Sequence, residues 1–251
     1  MIIGIIPARY GSTRFPGKPL ADIGGKSMIQ RVLEQAKKAK SLAKVVVATD
    51  DDRIAEAVRQ LGEEAVMTRV DHPSGTDRCW EAYDRLIEEG SVHPGQSNYI
   101  INIQGDEPFI DPTQIDELAV ILDGTVELAT QMATVDSAEM LHDPKEAKII
   151  INAQNEALYF SRAAIPYLPG IEPDQWHRHH NYHRHVGLYA YRADVLEAIT
   201  QLPPSSLEQA ESLEQLRWLE AGYRIKLVTT TYQTPTVDSP ADIEKILRSG
   251  L

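Results

Sequence analysis

Residue types suited to phosphate chemistry are concentrated in the stretch IPARYGSTRFPGKPLADIGG, which begins at Ile6 after an apolar run. Within it, Arg9, Arg14 and Lys18 place three positive charges among several small residues. Guanidinium and ammonium groups on a loop that leaves a buried strand are suited to binding a polyphosphate. The alternative is that the three side chains are solvated loop charges. The stretch alone does not decide between these interpretations.

The spacing within this loop differs from that of known phosphate-binding loops. Gly11 and Gly17 are separated by one residue more than the Walker A pattern allows, and Lys18 is followed by Pro19 where that pattern has Ser or Thr. The G-x-G-x-x-G dinucleotide pattern is also absent. A phosphate site in this loop would therefore be of another kind.

A second chemical candidate is Asp106, in the segment QGDEP. This segment follows an apolar run that ends near Ile103, so the carboxylate is expected to point into a crevice at the end of a strand. Mg²⁺ binds to a few hard oxygen ligands and completes its coordination with phosphate and water. The alternative for Asp106 is a turn aspartate.

Composition limits the class of protein. The chain has 251 residues, of which 42% are hydrophobic and 25% charged, with a formal net charge of −12 at pH 7. That charge opposes nonspecific binding to nucleic acid, so any phosphate site must be local. Cys79 is the one cysteine, which excludes an internal disulfide and fits a packing role. No apolar run approaches the roughly 20 residues that span a bilayer, and we expect a soluble, cytoplasmic protein without membrane insertion.

Strands and helices alternate in the first half of the sequence. Apolar runs predict strands at 2–6, 44–49 and 99–103, and amphipathic patterns predict helices at 27–40 and 51–61. This order predicts a mostly parallel sheet with helices on both faces, in an α/β Rossmann-like fold. Ligands in such folds bind beyond the carboxyl ends of the strands.

The pattern changes after about residue 125. Strands are predicted at 127–135, 147–152 and 157–161, joined by turns without helices, which indicates a small antiparallel lobe. Helices follow at 193–202 and 206–221, then a strand at 223–231 and a closing helix at 239–248 capped by Ser239. We predict one domain, 1–251, with an inserted lobe at about 125–205.

The opening stretch and its continuation resemble the N-terminus of the sugar-activating cytidylyltransferases, most closely those that act on 3-deoxy-manno-octulosonate (Kdo), the CMP-Kdo synthetases. The resemblance continues in order along nearly the entire chain, through VVVATDDDRI, MTRVDHPSGTDR, NIQGDEPFI, ALYFSRAAIPY, RHVGLYAYR, LEQAESLEQLRWLEAG and VDSPADIEKI. It implies a nucleotidyltransferase fold, CTP and a 2-keto sugar acid as substrates, Mg²⁺ as cofactor and a homodimer.

The resemblance also implies a role for particular residues. Arg9 and Lys18 are expected to contact the triphosphate and to act in catalysis with Asp106 and Asp238, the two expected metal ligands. Asp238 could instead be a helix-start charge, and Ser74 could belong to a turn and helix start. The expected nucleotide-binding residues are Ala8, Arg9, Arg14, Lys18, Ser74, Gly75 and Arg78, and the expected sugar-binding residues are Gln104, Arg162, His185, Tyr189, Glu211 and Gln215.

Among the sugar-binding candidates, Arg162 could provide the cation for the sugar carboxylate. Each candidate also has a structural alternative: Glu211 and Gln215, four residues apart, could interact along one helix, and Tyr189 alternates like a packed strand residue. The run WHRHHNYHRHVG matches no closed zinc site, and its interleaved arginines would repel a cation. Before His185 this run departs from the family pattern, and a variable loop is predicted there.

The expected reaction is transfer of CMP from CTP to the anomeric hydroxyl of Kdo, giving CMP-Kdo and pyrophosphate for bacterial lipopolysaccharide or capsule synthesis. Rival interpretations are activation of 8-amino-Kdo or a sialic acid, and a noncatalytic nucleotide-sugar binding protein. The sequence does not distinguish the substituent at C8 of the sugar. A nucleic-acid-binding module is opposed by the net charge.

Overall fold

One mixed sheet organises the computed structural model, which describes residues 1–11, 15–95, 98–232 and 234–249. Four parallel strands form one half of it, because apolar runs of β-branched residues can be buried on both faces of a parallel sheet. In spatial order these strands are β3 (Ala65–Met67), β2 (Lys44–Thr49), β1 (Ile2–Ala8) and β4 (Tyr99–Asn102).

The other half contains the reversed strand β8 (His183–Arg192), which pairs antiparallel with β4. On its far side β8 pairs antiparallel with β5 (Leu128–Thr134), and β5 pairs parallel with β9 (Ile225–Thr229). A branch is added where β6 (Lys148–Ile151) pairs with β8 and with β7 (Ala157–Ser161), both antiparallel. β8 therefore joins the parallel half to the antiparallel branch.

Helices pack around this sheet, and several begin where a short polar side chain caps the first turn. Ser27, Asp51, Ser74, Asp111 and Ser137 each accept a hydrogen bond from a backbone N–H two or three residues further on. The helices are α1 (Met28–Ala36), α2 (Asp52–Gln60), α3 (Gly75–Glu88), α4 (Pro112–Ala119), α5 (Ala138–His142), α6 (Trp176–His179), α7 (Ala193–Thr200), α8 (Ser206–Glu211), α9 (Gln215–Glu220) and α10 (Pro240–Ser249).

The core lies on both faces of the sheet. Alternate residues of β1 separate to opposite faces, so that Ile3 and Ile5 pack in one apolar cluster and Ile6 in the other. Cys79 on α3 is fully buried, as predicted, and burial raises the pKa of its thiol. A third, small cluster contains Trp176 and Tyr182.

The predicted α/β class and the antiparallel pairing after residue 125 are confirmed. Three local predictions are wrong. The predicted helix 206–221 is two helices, because Ser212 between them adopts a left-handed conformation with φ of 52°. Helix α5 interrupts the run of strands expected between 127 and 161. The segment before His185 contains α6 and the start of β8 where a loop was predicted.

Helices α3 and α4 and strand β8 were not delimited by the sequence reasoning. Helix α10 begins at Pro240 directly after Ser239, as predicted. There the Ser239 hydroxyl and backbone N–H both donate to Asp242. Within the described ranges, none of the helices is long and apolar enough to pass through a bilayer.

Candidate functional site

A cavity of about 280 Å³ opens at the carboxyl ends of β1 and β4. The sequence places polar loops directly after both strands, and parallel pairing brings these loops to the same edge of the sheet. Its walls combine candidates from three separate segments of the chain. They are Pro7, Ala8, Arg9, Lys18, Pro19, His72, Pro73, Ser74, Gly75, Arg78, Gln104, Gly105 and Asp106.

Two glycines allow the backbone to approach closely around this cavity. A Cβ atom on Gly105 would lie 2.8 Å from the carbonyl oxygen of Pro7, so the β4 loop can reach the β1 loop only without a side chain there. Gly17 has a φ of +72°, and a Cβ atom on it would lie 3.1 Å from the Tyr10 ring. Both glycines therefore help to place Lys18 and Asp106 in one wall.

Lys18 lies between the two aspartates that the sequence analysis identified as metal ligands. Its Nζ donates to Oδ2 of Asp106 at 2.8 Å and to the carbonyl oxygen of Val237 at 3.0 Å. Oδ1 of Asp238 is 3.9 Å from the same Nζ. The fold thus brings two carboxylates from distant parts of the chain to one ammonium group.

Three nucleotide-binding candidates lie at the start of α3, where local structure already uses their polar groups. Ser74 caps α3, accepting from the backbone N–H groups of Thr76 and Asp77, and Gly75 is the first residue of the helix. The Arg78 guanidinium is buried and donates to Asp50 at 3.0 Å and to the Thr68 hydroxyl at 2.6 Å. Ser74 is therefore the helix start that the sequence allowed, and nucleotide contact by these residues stays a prediction.

Glu107 is a buried carboxyl next to Asp106 that the sequence analysis did not select. Burial, reinforced by the charge of Asp106, raises the pKa of Glu107 to about 7. The Thr234 hydroxyl lies 3.4 Å from Oε2 of Glu107 and partly offsets this effect. Near neutral pH, Glu107 is therefore partly protonated and places less negative charge beside Asp106 than a fully ionised glutamate would.

Gln104 connects the cavity to the sugar-binding candidates. Its Nε2 donates to the carbonyl oxygen of Gly187 at 3.0 Å. Gly187 lies on β8 between His185 and Tyr189, whose ring centroids are 5.1 Å apart. The nucleotide and sugar candidates are therefore adjacent through the β4–β8 pairing.

Among the sugar-binding candidates, two buried polar atoms have no hydrogen-bond partner within the described residues. They are the hydroxyl of Tyr189 and Nε2 of Gln215. Trp218 of α9 packs edge-on against the ring of Tyr189, which brings this helix and β8 together. Buried donors without partners are costly, and a polyhydroxy ligand would satisfy them.

His185 is held in its neutral form. Although the residue keeps part of its surface exposed, its imidazole packs against the rings of Phe160 and Tyr189, and burial lowers its pKa to about 3. The Thr130 hydroxyl lies 3.0 Å from Nε2 and has its one proton directed to carbonyl oxygens. We infer that Nε2–H donates to Thr130, which leaves Nδ1 as the acceptor nitrogen of the ring.

Arg162 and Glu211 contact each other where β7 meets the end of α8. Oε2 of Glu211 accepts from the backbone N–H of Arg162 at 2.9 Å, and Oε1 accepts from the Ser161 hydroxyl at 2.6 Å. The Arg162 guanidinium donates to the carbonyl oxygens of Glu211, Pro144 and Ser212. It therefore holds three backbone segments together and faces no carboxylate through its side-chain nitrogens within the described residues.

Arg14, the remaining nucleotide-binding candidate, lies outside the described residues. Besides Glu107, the sequence reasoning missed His72 and Glu214. His72 lines the cavity from within the segment HPSGTDR, and Glu214 accepts from the Thr76 hydroxyl at 3.0 Å, with its pKa raised by burial. The motif could have indicated His72, whereas no local signal marks Glu214.

The histidine-rich run does not assemble a metal site in the described part of the chain, where no group of three His, Cys, Asp or Glu side chains could hold an ion. Its members are distributed over α6 and the first residues of β8. His180 packs edge-on against Tyr182, and burial lowers the pKa of His183. The run therefore packs around the small core that contains Trp176 and Tyr182.

Comparison with known proteins identifies similar sequences along almost the full chain. Residues 3–226 match the family model described as Cytidylyltransferase. The 3-deoxy-manno-octulosonate cytidylyltransferase of Cytophaga hutchinsonii is 51% identical over 250 residues, which cover 99% of this chain and 97% of that protein. The protein of the same name from Escherichia coli is 45% identical, with 96% and 93% covered.

Solved structures show the same likeness. A CMP:2-keto-3-deoxy-manno-octonic acid synthetase complexed with CTP superposes with a TM-score of 0.87 at 43% identity, covering 100% of this chain and 99% of that one. A putative glucose-1-phosphate thymidylyltransferase from Bacillus anthracis has a TM-score of 0.62 at 15% identity, covering 98% and 93%, and shows a shared fold alone.

Proposed function

Because the chain belongs to the cytidylyltransferase family, we propose that it transfers CMP from CTP to the anomeric hydroxyl of Kdo, with release of pyrophosphate. The observation that carries this proposal is the cavity at the carboxyl ends of β1 and β4, which brings Arg9, Lys18 and Asp106 together. These are the charges that a metal-bound triphosphate requires. The similar synthetase that binds CTP supports the nucleotide assignment.

In the nucleotide half, Arg9 and Lys18 bind the triphosphate, and Arg14 is proposed to join them. A lysine provides a compact point charge, whereas an arginine offers two parallel donors to phosphate oxygens. Ala8, Ser74, Gly75 and Arg78 form the wall for ribose and base. On the similarity to the synthetase that binds CTP, this wall is proposed to accept a pyrimidine, so CTP should be preferred to ATP and GTP.

A nucleotidyltransferase that uses CTP requires a divalent metal, and we propose that here it is Mg²⁺ held by Asp106 and Asp238. The residues fit such an ion, because both carboxylates converge on one cationic group and Mg²⁺ binds through one or two carboxylates plus phosphate oxygens. When bound, the ion neutralises charge on the phosphates. The side chains of Arg9 and Lys18 then hold the leaving pyrophosphate.

In the sugar half, Gln104, His185, Tyr189, Glu211 and Gln215 bind the hydroxyls of Kdo. The buried Tyr189 hydroxyl and Gln215 amide support this assignment, because their donors have no partner within the described residues. Arg162 is the candidate for the sugar carboxylate, and for that contact it must release some of its carbonyl partners.

The reaction itself needs no covalent intermediate with the protein. The anomeric oxygen bonds to the α-phosphorus as the bond to the bridging oxygen of pyrophosphate breaks, and the hydroxyl proton is lost. The protein contributes by holding two anions together in the reacting geometry. The proposed product, CMP-Kdo, would serve lipopolysaccharide or capsule synthesis.

We further infer one domain whose lobe at about 125–205 contributes to sugar binding and dimerisation, in a cytoplasmic homodimer. Leu158 and Tyr167 are 58% and 72% exposed and leave apolar surface on this lobe that a second copy of the chain can cover. Light scattering of the purified protein tests the dimer. A cytoplasmic location agrees with the use of CTP.

Pyrophosphate release tests the function directly. With CTP, Mg²⁺ and Kdo the chain should release pyrophosphate, and replacing CTP by ATP or GTP should strongly reduce the rate. Parallel reactions with 8-amino-Kdo and a sialic acid identify the preferred sugar. Binding of CTP without pyrophosphate release would instead identify a noncatalytic nucleotide-sugar binding protein, and equal rates with purine nucleotides would contradict the cytidylyltransferase assignment.

A further inference from the structure

Lys18 and the two aspartates form an ionic group at the cavity. The Nζ atom lies 2.8 Å from Oδ2 of Asp106, 3.0 Å from the carbonyl oxygen of Val237 and 3.9 Å from Oδ1 of Asp238. The ammonium therefore donates two hydrogen bonds, to Asp106 and to the Val237 carbonyl oxygen, and lies at ion-pair distance from Asp238. The side chains of Lys18 and Asp106 are 17% and 32% exposed, whereas that of Asp238 is 53% exposed, so the contact with Asp106 is the better shielded of the two.

This arrangement is incompatible with the arrangement expected during the reaction. Mg²⁺ binds carboxylate oxygens at about 2.0–2.1 Å, so an ion on Asp106 Oδ2 would lie close to the ammonium that the same oxygen now accepts from. Two cations at that separation repel each other strongly. Lys18 must therefore move away from Asp106 before an ion can bind there.

We propose that Lys18 occupies the metal position in the free enzyme and exchanges onto the triphosphate when the metal arrives with the nucleotide. This inference rests on the proposed metal ligands Asp106 and Asp238. The Lys18 ammonium offsets the negative charge of the Asp106 and Asp238 carboxylates until the metal and nucleotide bind. The flexible four-carbon stem of lysine allows the ammonium to move without rearrangement of the backbone.

The charges favour this exchange only when both ligands arrive together. A divalent ion alone must displace the ammonium and leave it without its carboxylate partners. A nucleotide alone attracts the ammonium away from both carboxylates. Metal and nucleotide together satisfy all of these groups, so each should strengthen the binding of the other by the same factor. The free enzyme should consequently bind divalent ions weakly.

Binding of Mn²⁺ alone tests the proposal without measuring activity. Free Mn²⁺ is counted by electron paramagnetic resonance in titrations of the nucleotide-free wild type and of the Lys18→Met variant. Lys18→Met should bind Mn²⁺ about tenfold more tightly, because the competing ammonium is gone. Lys26→Met is the matched control, since Lys26 pairs with the exposed Glu34, and it should bind Mn²⁺ as the wild type does.

A second variant tests whether the gain in Mn²⁺ affinity depends on Asp106. In Lys18→Met combined with Asp106→Asn, the tenfold gain should disappear, and Lys18→Gln should reproduce the gain if Met disturbs folding. Unchanged or weaker Mn²⁺ binding in both folded single variants would overturn the exchange, and so would a gain that survives the loss of Asp106. The proposed function is tested separately, because pyrophosphate release in the wild type does not depend on whether Lys18 competes with the metal.

Discussion

Around Lys18 the charged groups are paired with one another, whereas around Tyr189 buried donors have no partner within the described residues. A ligand entering the first region must replace existing contacts, so its net gain is the difference between two sets of interactions. A ligand entering the second adds hydrogen bonds that the protein lacks. Charge is thus kept compensated in the nucleotide half, while the sugar half tolerates unsatisfied neutral donors, whose burial is less costly than that of an unpaired charge.

The largest effect is expected from the carboxylates of the nucleotide half. Asp106→Asn and Asp238→Asn should each lower kcat/KM at least about a hundredfold, because each removes part of an interaction that stabilises charge in the transition state by several kcal/mol. If both carboxylates hold one ion, the double variant should cost much less than the sum of the two losses in free energy. Steady-state kinetics over a range of Mg²⁺ concentrations measures both effects.

Asp111→Asn is a suitable control, because Asp111 caps α4 and lies outside the cavity. It should retain normal kinetics. One result for Asp238→Asn would contradict the proposed pairing of charges around Lys18. If that variant keeps normal turnover and Mg²⁺ dependence and only melts earlier, Asp238 is a helix-start residue, and the two-aspartate metal site is wrong.

Replacing Arg162 should have the next largest effect, and it should change both the free energy of unfolding and KM for Kdo. Arg162→Ala removes hydrogen bonds to three carbonyl oxygens and should lower the free energy of unfolding by about 1–3 kcal/mol. If the guanidinium also binds the sugar carboxylate, KM for Kdo should rise about tenfold or more while KM for CTP changes little. Urea unfolding and initial rates provide the two values.

Arg192→Ala is the matched control, because Arg192 also donates to two loop carbonyl oxygens and lies at the opposite end of β8 from His185. It should lose stability without a change in KM for Kdo. A variant Arg162→Ala that behaves in the same way would remove Arg162 from the sugar site.

Tyr189 and Tyr182 should have different effects on sugar binding and on stability when each is replaced by Phe. Tyr189→Phe deletes a hydroxyl without a partner within the described residues, so the free energy of unfolding should stay the same or increase, whereas KM for Kdo should rise about two- to tenfold. Tyr182→Phe deletes a hydroxyl that donates to Pro166 at 2.6 Å and should cost about 1 kcal/mol of stability with no change in KM. Thermal unfolding and Kdo titration of both variants measure these changes in stability and KM. A stability loss in Tyr189→Phe would mean that its hydroxyl has a structural partner.

The last predictions concern the pH dependence of stability, first in the nucleotide half. Glu107 has its pKa raised from 4.5 to about 7, so between these values the folded chain retains a proton that the unfolded chain has released. The free energy of unfolding attributable to Glu107 therefore falls as pH rises through this window, by at most about 1.4 kcal/mol per unit. Glu107→Gln should remove that fall and be more stable than the wild type at about pH 8 in metal-free urea unfolding.

His185 in the sugar half has the opposite dependence. Its pKa is lowered from 6.5 to about 3, so in this interval the unfolded chain binds more protons and stability falls as pH decreases. His185→Gln should reduce the loss on acidification and leave the behaviour above pH 7 unchanged. Equal pH dependence of the wild type and both variants would mean that neither group is buried as described.

The parallel half of the fold could be predicted from the sequence because each strand is a short apolar run bounded by polar loops. β2 was predicted with its observed bounds, and the loops after β1 and β4 meet at the predicted edge. By contrast, the break between α8 and α9 depends on a left-handed Ser212, a conformation that serine does not favour. No local pattern marks it.

Several residues selected from the sequence line one cavity, but the pairing of their side chains could not be predicted. The types of Lys18 and Asp106 indicate phosphate and metal chemistry, and their hydrogen bond joins residues 88 positions apart, which only the folded sheet determines. Likewise, the three carbonyl oxygens bound by Arg162 depend on how loops are oriented and not on side-chain identity. Backbone acceptors leave no mark in an amino-acid sequence.

The reversed strand β8 sets the distance between the proposed nucleotide and sugar sites. Asn102 of β4 is opposite Tyr189, and further along the same strand β6 pairs Lys148 with Arg184. Slipping β8 by one residue would turn its side chains to the wrong face, so the smallest permitted change is two residues, or about 7 Å. The spacing between the proposed phosphate and sugar sites can therefore change only in steps of two residues along the hydrogen-bond ladder. A wider range of sugars would have to come from changes in the surrounding loops, with the sheet register left intact.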